Sequence, residues 1–188
     1  MVIALIVILA IIVILLIWVV MTYNGLVRLR NRVENAWAQI DVQLKRRIDL
    51  IPNLVETVKG YASHERDTLE AVVQARNASI AASGPQQEAQ ADNLLTGALR
   101  QLFALSEAYP DLKANANFQQ LQGDLSDIEN KLAAARRFFN NSVSEYNAAL
   151  QSFPAVLFAQ NMGFTQREFF DVGEASRQQL DQAPSVKF

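Results

Sequence analysis

Residues 26–58 read LVRLRNRVENAWAQIDVQLKRRIDLIPNLVETV, and the reading of Pro52 decides whether they form one helix or two. Apolar side chains recur at Leu26, Val33, Trp37, Ile40, Leu44, Ile48, Ile51, Leu54 and Val58, in steps of three, four or seven, the period of one helix face. A proline has no N–H for the carbonyl four residues back, here that of Ile48, and its ring crowds that carbonyl. Asp49 could therefore cap a second helix with Pro52 in its first turn. A break with a turn would rotate the stripe, yet Leu44, Ile48, Ile51, Val55 and Val58 keep step across the proline. Pro52 is thus expected to bend a continuing helix. The stripe carries on through Ala62, Leu69 and Val72 to a loop at SGPQQ, residues 83–87. This predicts one amphipathic helix of about 55 residues, roughly 80 Å long, with its bend ~45 Å from the end nearest the amino terminus.

Within that stripe one residue is out of character. Counting in sevens from Leu26 gives Val33, Ile40, Arg47, Leu54 and Tyr61, so Arg47 lies on the apolar face while Lys45 and Arg46 lie off it. Either its methylene stem packs and its head reaches the edge of the bundle, or it pairs with a carboxylate of a neighbouring helix or subunit and fixes register. The sequence leaves both readings open.

Upstream, residues 2–21 read VIALIVILAIIVILLIWVVM, without a charge. About 20 helical residues span roughly 30 Å, the hydrocarbon thickness of a bilayer. Trp18 and Tyr23 stand near one end of the run, where amphipathic rings favour the interface. A cleaved signal peptide would need a charged leader, a shorter apolar core and a small-residue cleavage site. A buried core helix with no polar face would need more covering protein than the remaining ~165 residues supply. Residues 1–23 are accordingly expected to be an uncleaved transmembrane anchor. Arg28, Arg30 and Arg32 follow it before the first acid, Glu34, with Lys45, Arg46 and Arg47 soon after. The positive-inside rule then puts the amino terminus outside and the helical body in the cytoplasm, where each cation near the membrane adds about 1 kcal/mol of attraction to anionic headgroups.

Downstream, a second apolar series runs through Ala91, Leu94, Ala98, Leu102, Leu105 and Tyr109 to Pro110. A third runs through Phe118, Leu121, Leu125, Ile128, Leu132, Ala135, Phe139, Val143, Tyr146, Leu150 and Phe153 to Pro154. Helices joined by short loops pack antiparallel, so the fold class expected is all-α, a transmembrane helix followed by an up-and-down bundle. Pro154 suits the first turn of a short helix and Gly163 its C-terminal cap. Thr165 with Glu168 has the form of a capping box. Phe153, Phe158, Phe164, Phe169 and Phe170 are expected to plug one end of the bundle. The organisation expected is an anchor at 1–23, a helical bundle domain at 24–178 and an irregular tail at 179–188, with no strand signal.

The chemical motifs are few. With no cysteine, thiolate zinc sites, iron–sulfur clusters and disulfides are excluded. A net charge of −2 gives no field to draw nucleic acid. The single histidine, His64, lies in YASHERDTLEAV. HE with Thr68 is similar to the phospho-accepting box of sensor kinases, but no ATP-binding boxes follow; a solvated helical histidine is the simpler reading. A zinc-protease motif needs a second histidine where Thr68 stands. Asp124, Asp127 and Glu129 do not have the spacing of a calcium loop and read as an exposed charged face. No serine has a base beside it and no glycine cluster cradles phosphate. The expectation is a protein without a catalytic site, cofactor or metal, whose candidate structural and interaction residues are Arg28, Arg30, Arg32, Arg47 and Pro52.

The segments YNGLVRLRNRVENAWAQIDVQLKRRIDLIPNLVETVKGYASHERDTLEAV, ARRFFNNSVSEYNAALQSFP and GFTQREFF resemble the LemA family. The resemblance covers nearly the whole chain after the anchor. It implies a bacterial inner-membrane protein with a short external amino terminus, one span and an antiparallel helical body, and it implies no reaction. The partners expected are the lipid bilayer, further copies of the chain, and a membrane protease or transporter for which it would act as adaptor. A phosphotransfer hairpin through His64 is the third functional class considered.

Overall fold

The computed structural model describes residues 1–171, and they are helical without a strand. Five α-helices follow in order: α1 Val2–Lys59, α2 Arg66–Ala81, α3 Pro85–Ser106, α4 Pro110–Lys113 and α5 Ala116–Gln151, then a single 3₁₀ turn, Ala155–Leu157. The expected tail at 179–188 and the end of the expected bundle domain lie outside the described residues.

Helix α1 is continuous from the apolar run through Pro52. The proline leaves the Ile48 carbonyl without its usual donor, and Arg76 of α2 supplies one, its Nε donating to Ile48 O at 3.3 Å. A foreign N–H thus takes the place of the one that proline lacks. Pro52 itself faces solvent.

The predicted single helix over Leu26 to the 83–87 loop is corrected: it is interrupted at residues 60–65. Val58 O accepts from both Tyr61 N and Ala62 N, a tightening turn that closes α1. Periodicity missed this because Val58, Ala62, Leu69 and Val72 are all buried and stay in phase across the turn. The loop before α3 is also shorter than predicted. Gly84, at φ 84°, adopts a conformation costly for other residues, and Pro85 already occupies the first turn of α3.

The described residues fall into two compact units. One comprises Met1–Gln39 with Arg137–Glu168. Its core joins Leu26, Val33 and Ala36 of α1 to Phe139, Val143, Tyr146 and Leu150 of α5. Aromatic pairs add to it: Trp37–Phe139 at 5.3 Å and Tyr23–Phe164 at 5.4 Å between ring centres. The apolar run is not buried. In water each of its aliphatic side chains would forgo about 1.5–3 kcal/mol, and their sum would exceed the ~5–15 kcal/mol by which domains are stable. Such a surface is long and apolar enough to cross a membrane.

The second unit comprises Ile40–Arg136 with the described residues after Glu168. Its core gathers Ile51, Leu54 and Val58 of α1, Leu69, Val72 and Ala75 of α2, Leu95, Leu99 and Leu102 of α3, Leu112 of α4, and Phe118 and Leu125 of α5. The predicted α3 stripe holds at Ala91, Ala98 and Leu102, which are buried, but Leu94 is exposed, and Asp92, Leu95, Leu99 and Ser106 are buried in addition.

The aromatic plug is corrected in part. Phe164 and Phe170 are buried, but Phe153 and Phe169 are exposed. No helix follows the Thr165–Glu168 pair among the described residues, so it is not a capping box. That segment is held by side chains instead. Asn147 of α5 donates from Nδ2 to Arg167 O and accepts at Oδ1 from Arg167 N, both at 2.9 Å.

Candidate functional site

Arg47 is buried, 4 % exposed, on the face of α1 that packs into the second unit. A guanidinium cannot leave water unpaired without a large cost, so its partners determine what the site is. Its Nη1 donates to Asp92 Oδ1 of α3 at 2.5 Å and lies 3.0 Å from Glu129 Oε2 of α5. Asp92, 2 % exposed, is gripped from the other side by Arg136 of α5, whose Nη2 donates to Oδ2. Arg136 also lies 3.9 Å from Glu129 Oε1 and stacks over the Phe170 ring, 5.3 Å from its centre. Two cations and two carboxylates from three helices therefore close on one another.

Burial lifts the Asp92 carboxyl above its ordinary range; Arg136 and then Arg47 pull it back, and Glu129 adds to the rise. Both Asp92 oxygens are taken by guanidinium groups. These bonds tie the carboxylate of α3 to α1 on one side and to α5 on the other. A cleft of about 360 Å³ opens beside the pair, lined by Asp41, Lys45, Asp49, Arg76 and Glu88 among others. Burial likewise raises Glu88, against a backbone hydrogen bond from the Gly84 turn, with Asp41 adding to the rise.

Of the two readings of Arg47, pairing with a neighbouring helix is the arrangement observed. Lys45 and Arg46 are exposed, as their place off the stripe requires. The cations nearer the apolar run lie elsewhere. Arg30 packs over Phe164, 5.5 Å from the ring centre, and Arg32 over Phe138 at 5.4 Å. Arg32 Nη1 also bonds Glu145 Oε2 at 2.7 Å, an exposed pair, and Arg28 is exposed. Glu129, read as part of an exposed charged face, instead turns its carboxylate to the buried pair, while Asp127 pairs on the surface with Lys131.

His64 is exposed, but it lies in the α1–α2 turn rather than on a helix. Its neighbours fasten that turn: Tyr109 Oη donates to Glu65 and Asn115 Nδ2 to Tyr61 Oη, each at 2.9 Å. Apolar counting does not find Asp92, a polar residue at a core position, nor Arg136 and Arg76, which are half-buried at the edge of the core. The signal available was phase, since Asp92, Leu95, Leu99, Leu102 and Ser106 share one spacing.

A family model described as the LemA family matches residues 36–188. The chain belongs to the LemA family. It is 27 % identical over 162 residues to Protein LemA of Metamycoplasma hominis, covering 84 % of this chain and 73 % of that one. It is 26 % identical over 176 residues to magnetosome protein MamQ of Magnetospirillum gryphiswaldense, covering 80 % of this chain and 65 % of the relative. Magnetosome protein MamQ 2 of Paramagnetospirillum magneticum is 25 % identical over the same shares. The chain thus spans just under two thirds of the magnetosome relatives. The match to the family begins at residue 36, so it takes in Arg47, Asp92, Glu129 and Arg136 together.

Proposed function

We propose that this chain is a non-catalytic scaffold, held in the inner membrane of a bacterium by one span and assembled with further copies of itself. The observation that carries the reading is the buried Arg47–Asp92–Arg136 bridge, which commits the best-placed polar groups of the body to joining helices. The names of the relatives specify no reaction. In this reading the helices form an antiparallel up-and-down bundle in the cytoplasm, with the amino terminus outside, in keeping with Arg28, Arg30 and Arg32 just after the span. Self-association draws support from Val42, Val73, Ile80 and Leu94, large apolar side chains exposed on the body.

The same exposed side chains suit a different membrane protein, which makes an adaptor for a protease or transporter the second reading. Cysteine-accessibility mapping of the full-length chain, combined with sizing in mild detergent, tests the scaffold. The expected result is a body reactive only from the cytoplasmic side and a homogeneous particle several chains in size. A monomer, or a particle that always contains a second polypeptide, overturns it.

A further inference from the structure

After α5 the chain makes a compact hook, FPAVLFAQNMGF, residues 153–164. From Tyr146 to Gln166 no residue carries a charge, the longest such stretch outside the amino-terminal run. The hook is closed on itself by backbone bonds: Val156 N to Ser152 O, Phe158 N and Ala159 N to Ala155 O, and Met162 N to Phe158 O. It ends in a Schellman motif, in which Phe164 N reaches Ala159 O and Gly163 N reaches Gln160 O, with Gly163 at φ 79°. Ala155, Ala159 and Phe164 point inward and are buried. Phe153, Val156, Leu157 and Met162 point outward, and Phe153 and Leu157 are 69 % and 67 % exposed.

The hook is tied to the end of the apolar run. Phe153 meets Trp18, ring centres 5.4 Å apart, and Phe164 meets Tyr23 at the same distance. Trp18 stands three residues before Met21, the last residue of that run, so Phe153 lies at the level where hydrocarbon gives way to headgroups. Arg30, stacked on Phe164, marks the polar side of that level. A loop that bonds much of its backbone to itself and turns Val156, Leu157 and Met162 outward suits the boundary of the leaflet, where headgroups and water meet the N–H groups it leaves open.

We infer that Phe153, Val156, Leu157 and Met162 form a second membrane contact, a hook that inserts into the leaflet beside the span. The occupant of this apolar surface is the bilayer, because the surface is continuous with the span through the Trp18–Phe153 contact. The inference rests on the reading of α1 as a membrane anchor. It makes the body's attachment two-pointed, so that α5 as well as α1 is held at the interface.

The chain has no cysteine, so single labels are placed freely. Full-length Leu157→Cys, Ile8→Cys and Asn77→Cys carry an environment-sensitive nitrobenzoxadiazole label in vesicles of phosphatidylcholine and phosphatidylglycerol. Lipids with a nitroxide either high or deep on the acyl chain, and aqueous iodide, serve as quenchers. The label at 157 is expected to be quenched by the nitroxide several-fold more than that at 77, and shielded from iodide. A label at 157 open to iodide and indifferent to nitroxide, with that at 8 quenched by deep nitroxide, overturns the hook while leaving the anchor standing. One shielded from both quenchers is covered by another copy of the chain and overturns it too. Failure of the label at 8 to respond to any lipid quencher removes the anchor and the hook together.

Discussion

The two compact units use arginine in opposite ways. Near the apolar run, Arg30 and Arg32 lie over phenylalanine rings and Arg32 pairs with Glu145 in full view of water. In the other unit Arg47 is out of water and bridged through Asp92 to Arg136. Exposed pairs contribute roughly 0–1 kcal/mol, because both ions are as well solvated apart as together. Breaking a buried pair costs several times more, because the surviving ion has no solvent to return to. One unit is therefore held by rings and aliphatic burial and tolerates loss of its charges, whereas the other depends on them.

The largest effect predicted is that of Arg47→Met, which should lower unfolding stability in detergent or nanodiscs by about 3–5 kcal/mol at pH 7. Its pH dependence tests the cause. Asp92 is already raised by burial, and loss of Arg47 removes a group that lowers it, so its folded value rises further. Stability from a carboxyl raised in the fold is present below its unfolded value, near pH 4, and is lost as the pH rises through the folded value. The deficit of the variant should therefore shrink from pH 7 towards pH 4. A deficit independent of pH would assign the loss to packing alone.

Next in size is Arg76→Met, which orphans the Ile48 carbonyl that Pro52 has already left without its helical donor. The expected loss is about 1–3 kcal/mol. In a Pro52→Ala background the restored N–H takes over, and the same Arg76→Met change should cost much less. Equal costs in the two backgrounds, measured as a double-mutant cycle, would show that the carbonyl does not depend on Arg76. Arg32→Ala should lose only about 1 kcal/mol, the sum of an exposed pair and a ring contact. If it matched Arg47→Met, the contrast between the units would collapse. Smallest of all, His64→Ala should leave stability unchanged and the protein free of acid-labile phosphate before and after. Phosphate present in the parent chain and absent in the variant would instead revive the phosphotransfer reading.

Much of the fold could be read from periodicity. Val33, Ile40, Ile51, Leu54 and Val58 were placed on one face and are buried, and the unbroken phase across Pro52 correctly kept α1 continuous. The same argument failed at residues 60–65, because phase measures rotation and not continuity: a turn that restores the rotation leaves no trace in an apolar count. At α3 Leu94 was counted as core, whereas Leu95 takes that place beside Asp92. Adjacent leucines are equivalent to a hydrophobic pattern, and only the position of the buried acid distinguishes them. The site was half legible for that reason. Arg47 announced itself as a cation in an apolar stripe, but its partners sit on helices whose register only the fold reveals.

Self-assembly of an anchored helical body is tested most directly by cross-linking in intact membranes at native expression. Leu94→Cys places a single thiol on an apolar side chain that is 61 % exposed on α3. A bifunctional maleimide should convert this variant to dimers and higher species, and no second polypeptide should appear in the products. A thiol that reacts fully with a monofunctional maleimide but yields only monomer with the cross-linker would contradict the scaffold.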